Sequence, residues 1–160
     1  MGVRIHPRIA RKFMATLSQA LGGTLLGIDH VGLAVPDLNA AIDRWSKTFG
    51  LVVSHREINE SQRIEEAMLD LADGSRIQLL APLDSQSTIA KFLERNGEGI
   101  QQLAFRVTNI DEAMAAVTAA GMRLIYPESR IGTAGSAINF VHPKDSGGVL
   151  VELVQLKEDN

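Results

Sequence analysis

Five polar side chains occupy positions from which they could act together. In the segment IDHVGLAV, Val31, Leu33 and Val35 fall on one face of an alternating strand and leave His30 on the other. The same alternation leaves Gln78 opposite Ile77 and Leu79, and Gln102 opposite Leu103, Phe105 and Val107. It leaves Glu152 opposite Val149, Val151 and Leu153, and Glu66 opposite Ala67, Leu69 and Leu71. One imidazole, two amide oxygens and one carboxylate can converge on a divalent cation, a harder donor set than a histidine-rich zinc site. Taken one at a time, each is more simply a polar residue on the solvated face of a sheet.

What joins them is a repeat. Ile28–Ile42 reads IDHVGLAVPDLNAAI and Ile100–Met114 reads IQQLAFRVTNIDEAM, a displacement of 72 positions that carries His30 onto Gln102. Each copy is an alternating strand, a turn holding Asp37 or Asn109, and the start of an amphipathic helix. Two copies at so long a period point to an internal duplication closing one core, with function between the halves.

The order predicted from Leu26 onward is a strand to about Val35, a helix Leu38–Phe49, and strands near Leu51–Glu57, Arg63–Leu71 and Arg76–Leu80, with a hairpin turn at Asp73 and Gly74. A linker, 83–99, carries a short helix capped by Ser85 or Ser87. The second unit repeats the order: strand Gln101–Val107, helix Asp111–Ala120 ended by Gly121, and strands near Met122–Tyr126, Ala137–Val141 and Val149–Val154. The last strands of the two units bring Gln78 onto Glu152. The expected class is α+β: two βαβββ modules, about 26–82 and 100–156, forming one curved mixed sheet with helices on its outer face.

Composition narrows the function. A chain of 160 residues with 45% apolar residues suits one domain with a sizeable core. A net charge of −3 and 4% aromatic residues give no electrostatic or stacking case for nucleic acid. There is no cysteine, which excludes disulfides, thiolate metal sites and cysteine nucleophiles, and no apolar run long enough to span a membrane. Residues 1–25 hold Arg4, Arg8, Arg11 and Lys12 without an acid, with Ile9, Phe13, Leu17 and Leu21 on one helical stripe. They are expected to form a helical extension. The same composition fits an organelle transit peptide, so the expected compartment is the cytoplasm or, with a transit peptide, an organelle matrix.

The motifs DHVGLAVPDL, APLDSQSTIAKFLERNGEGI and INFVHPKDSGGVLVELVQ resemble the vicinal oxygen chelate (glyoxalase/bleomycin resistance) superfamily, and within it the methylmalonyl-CoA epimerase branch. The first motif is general to the superfamily; the other two are specific to the branch. The resemblance covers about Leu26 to Leu156. It implies a homodimeric, metal-dependent isomerase that epimerises methylmalonyl-CoA at carbon 2 through an enediolate. It carries the metal ligands onto His30, Gln78, Gln102 and Glu152, with cobalt, manganese, magnesium or zinc as the ion. One departure stands out: the family's pair of histidines before LAFRV is here Gln101 and Gln102, and glutamine binds borderline cations more weakly than imidazole.

Glu66 falls where some members place a catalytic glutamate and is the expected acid or base on one face of the carbon, with Glu152 the candidate for the other. His142, Lys144, Ser146, Gly147 and Gly148 are expected to contact the acyl-CoA, unless HPKDSGG is simply a turn. Two other readings fit the same fold: a diverged natural-product isomerase or cyclase, and a ligand-binding resistance protein without chemistry. Lactoylglutathione lyase fits less well, because it lacks the two branch motifs.

Overall fold

The computed structural model describes residues 20–157. Of the expected N-terminal extension, most lies outside the described residues; a 3-10 turn at Ala20–Gly23 leads into the first strand.

Strand β1 (Leu25–Ala34) is followed by helix α1 (Leu38–Phe49). The Asp37 side chain caps α1 by accepting from Ala40 N at 2.9 Å, and Gly50 ends it in the left-handed conformation with φ 69°. Strands β2 (Val53–Asn59), β3 (Ile64–Asp70) and β4 (Arg76–Pro82) complete the first module. Helix α2 (Thr88–Asn96), capped by Ser87, links it to the second. There, β5 (Gly99–Val107) and α3 (Ile110–Ala119), capped by Asn109, lead to β6 (Arg130–Ile131), β7 (Ala137–Val141) and β8 (Val151–Gln155).

The eight strands among the described residues form one sheet in the order β2-β3-β4-β1-β5-β8-β7-β6. β1 and β5, the duplicated strands, pair antiparallel at its centre, and each is flanked by the last strand of its own module in parallel, β4 and β8. The arrangement is a near-twofold one, as the repeat requires. On the outer face, Leu38 and Ala41 of α1 pack on Val35, Ala67, Leu69 and Leu79, while Ile110, Ala113, Met114 and Val117 of α3 pack on Val107, Val141 and Leu153. The linker helix does otherwise. Ile89, Phe92 and Leu93 of α2 pack on Ala34, Ile64 and Leu80, whose parity is that of His30, Glu66 and Gln78, so α2 walls one end of the inner face.

One expected strand is corrected. Met122–Tyr126 makes only a single bridge, Leu124 to Val141, and the edge strand is Arg130–Ile131. The physical reason is the buried Asn139, whose Oδ1 accepts from Tyr126 N and whose Nδ2 donates to Tyr126 O at 3.0 Å and to Glu128 O. A side chain takes the groups a ladder would have used, and Pro127 favours departure from it.

Candidate active site

The sheet register builds the site. Gly32 of β1 pairs with Gln78 on one side and Gln102 on the other; Ala104 of β5 pairs with His30 and Glu152 in the same way. The two smallest side chains thus lie between the four largest polar ones. A Cβ at Gly32 would stand 2.6 Å from Gln102 Cγ and 3.3 Å from Gln78 Oε1, so glycine is what lets the two amides meet.

All five residues picked out by alternation are brought together and buried: His30, Glu66, Gln78, Gln102 and Glu152. They form one hydrogen-bonded row. Gln78 Nε2 donates to Glu66 Oε2 at 2.7 Å, and Gln102 Nε2 donates to Gln78 Oε1 at 3.1 Å and to Glu152 Oε2 at 2.7 Å. His30 Nε2 lies 3.1 Å from Glu152 Oε2 and 3.3 Å from Gln102 Nε2. Buried polar groups are satisfied here by one another.

The amide nitrogen of Gln102 therefore sits between the oxygens of Gln78 and Glu152 and beside His30 Nε2, which would join them as a cation ligand on giving up its proton. Among the described residues no cluster of three or more His, Cys, Asp or Glu side chains is arranged to hold a metal, so an ion here would depend on the two amide oxygens. The donor chemistry fits a divalent cation once Gln102 turns its oxygen inward.

Several participants escaped the alternation argument. Asp29, fully buried, accepts from His30 Nδ1 at 2.8 Å and from Arg106 Nε at 2.7 Å, and also pairs with Arg76. It fixes the imidazole so that Nε2 points at the site. Simple parity puts Asp29 on the outer face, but the β1–β5 register shifts between Ile28 and His30, a bulge that lets Asp29 line the same cavity as His30. Thr133, in the loop before β7, donates from Oγ1 to Glu66 Oε1 at 2.7 Å. Loop residues have no period to read, and only its glycines, Gly132 and Gly135, marked the segment.

Electrostatics follow from burial and these bonds. Burial alone would lower the His30 imidazole, but its hydrogen bonds to Asp29 and Glu152 and their charges outweigh that and raise it to about 9. Burial raises the Glu66 carboxyl; the Thr133 hydrogen bond opposes this, and the neighbouring charges of Glu57 and Glu152 add to it, leaving it above the usual carboxylate range. A carboxyl so placed exchanges protons near neutrality more readily than a surface one.

Glu66, Gln78, Gln102 and Glu152 line a cavity of about 370 Å³ whose apolar walls include Ile64, Leu80, Ile89, Ile138 and Phe140. Gln101 also lines it, and its buried Oε1 has no hydrogen-bond partner among the described residues. His142, Lys144, Ser146 and Gly147 are not among the lining residues. Their loop is a folded turn: Ser146 Oγ donates to Val149 O at 2.5 Å, Lys144 N donates to His142 Nδ1 at 3.2 Å, and Asp145 is gripped by Arg123 through Nε and Nη2 at 2.8 Å.

The sequence profile of the glyoxalase/bleomycin resistance protein/dioxygenase superfamily matches residues 29–140. The chain belongs to this superfamily. Within the superfamily, the crystal structure of methylmalonyl-CoA epimerase from Mycobacterium tuberculosis is similar at a TM-score of 0.82 and 49% identity, over 84% of this chain and 91% of that one. A methylmalonyl-CoA epimerase in complex with methylmalonyl-CoA and NH4+ aligns with a TM-score of 0.78 and 44% identity, over 82% of this chain and 95% of that one. The ethylmalonyl-CoA/methylmalonyl-CoA epimerase of Cereibacter sphaeroides is 37% identical over 131 residues, 81% of this chain and 97% of its own length. None of the described helices is long and apolar enough to cross a membrane.

Proposed function

We propose that this chain is an isomerase that epimerises methylmalonyl-CoA at carbon 2. The observation that carries the reading is the continuous row from Glu66 through Gln78 and Gln102 to Glu152, on the inner wall of a cavity with apolar sides. It supplies two carboxyl groups separated by two amides, which suits removing a proton from one face of a carbon and returning one to the other. The relatives' activity supports the substrate assignment.

Glu66 takes the proton, its carboxyl raised by burial and oriented by Thr133 and Gln78. Glu152, across the row, serves the opposite face. A divalent cation held by His30, Gln78, Gln102 and Glu152, with cobalt, manganese, magnesium and zinc as the ions to test, supplies Lewis-acid stabilisation of charge on the substrate oxygens when bound. Asp29 keeps His30 Nε2 turned toward the site. The unpartnered Gln101 Oε1 accepts an amide N–H of the acyl-CoA arm, and the exposed Lys144 meets its phosphates from outside the cavity. A homodimer is part of the proposal.

The direct test is to incubate one epimer of methylmalonyl-CoA with the protein and divalent cation and follow loss of its circular dichroism. Decay to the signal of the equilibrium mixture of epimers supports the reading, and a signal unchanged over the whole concentration series refutes it. Because Gln102 supplies an amide where the family has imidazole, Gln102→His is expected to tighten cation binding, read by calorimetry, by about tenfold or more. Unchanged affinity removes Gln102 from the ligand set.

A further inference from the structure

The chemistry assigned so far leaves one constellation unused. The loop Gly132–Gly135, from the second module, reaches the far edge of the first. There, Ala134 N donates to Glu57 Oε2 at 3.2 Å, while the neighbouring Thr133 donates to Glu66 and accepts from Gln78 Nε2 at 3.3 Å. Thr133 borders both the 370 Å³ cavity and a second one of about 240 Å³ that also touches His30 and Glu152, so the loop divides the inner face of the sheet.

The loop's conformation is held under strain. Ala134 lies in the left-handed region at φ 53°, which is strained for a residue with a Cβ, and Gly135 follows at φ 75°. Something must retain it. Glu57 on β2 pairs directly with Glu66 on β3, so both project from the inner face, and His55, two residues earlier on that face, places Nε2 2.5 Å from Glu57 Oε2. The imidazole fixes the carboxylate that receives the strained amide.

We infer that Glu57, held by His55, is a positioning residue: by anchoring Ala134 it keeps the Thr133 hydroxyl on Glu66 Oε1 and so aims the proton-transfer group. Without the anchor, Ala134 relaxes to ordinary backbone angles, Thr133 withdraws and Glu66 loses one of the two bonds that fix its plane. The apolar walls Ile64, Leu80, Ile89 and Phe140 lie on elements outside the loop, so the loss falls mainly on turnover rather than on binding. This rests on the proposed role of Glu66.

Steady-state kinetics of methylmalonyl-CoA epimerisation, with melting temperatures measured on the same samples, test it. Glu57→Ala is expected to lower kcat about 10-fold to 100-fold with KM within about twofold, the scale of a small misplacement of a reacting group. Glu57→Gln, which keeps an oxygen for Ala134 N, is expected to recover most of that loss. Glu57→Ala combined with Thr133→Val is expected to be no slower than the slower single variant, because both act through one path. If Glu57→Ala does not fold, Glu57→Met, of similar length but without an acceptor, enters the same comparison. Wild-type kcat in the variant lacking the acceptor, with Glu66→Gln inactive, overturns the positioning role and leaves the function standing. Full activity of Glu66→Gln overturns both.

Discussion

Asp29 shows how much one residue can carry. It accepts hydrogen bonds from His30 and Arg106 and pairs with Arg76, while its own exposure is nil. Burial pushes its carboxyl up, but the bonds from His30 and Arg106 and the charge of Arg76 prevail and hold it well below its ordinary value of 3.8. The sign of the pH effect follows. A depressed carboxyl contributes stability that is complete above its unfolded pKa and is lost as pH falls toward the folded one. Asp29→Asn leaves cations without their partner and is expected to cost about 3–5 kcal/mol at pH 7. Thermal unfolding of both proteins at about pH 7 and about pH 3 reads it: the gap between them should narrow at the lower pH, where the wild type loses the same contribution. A gap of constant size would mean that Asp29 titrates alike in the folded and unfolded chain.

At the level of elements, the site is a product of register. Alternation along β1, β3, β4, β5 and β8 was enough to pick out His30, Glu66, Gln78, Gln102 and Glu152, because a strand covered by a helix on one face has only one other face for a polar side chain. Gly32 is where this geometry is tightest, since an added Cβ would meet Gln102 Cγ at 2.6 Å. Gly32→Ala is expected to fold at a cost of about 1–3 kcal/mol and to displace the Gln102 amide, with turnover falling more than stability. Melting temperature and kcat measured together check it, and a variant unchanged in both would mean the amides have slack. What alternation missed has specific causes. A bulge hid Asp29, an aperiodic loop hid Thr133, and the Asn139 side chain drew residues 122–126 out of the edge ladder. The turn HPKDSGG showed its glycines and its charges in sequence, but not that Arg123 would bind Asp145 and close the turn on itself.

For the whole molecule, the duplication explains why the proposed catalytic row and the centre of the sheet coincide. β1 and β5 pair at the near-twofold axis, so the polar residues of each module face those of the other, and neither module alone assembles the row. The departure from symmetry is chemical: His30 is matched by Gln102 and Gln78 by Glu152. That gives one carboxylate on each side of the amides, Glu66 from the first module and Glu152 from the second, as a two-sided proton transfer requires. The central claim is that this row moves the proton on carbon 2. The most direct measurement is deuterium uptake at that carbon when methylmalonyl-CoA is incubated with the cation-supplied protein in deuterated water. The wild type is expected to introduce deuterium, and Glu66→Gln to do so about 100-fold or more slowly while still binding the substrate. No uptake by the wild type, or undiminished uptake by Glu66→Gln, would contradict it.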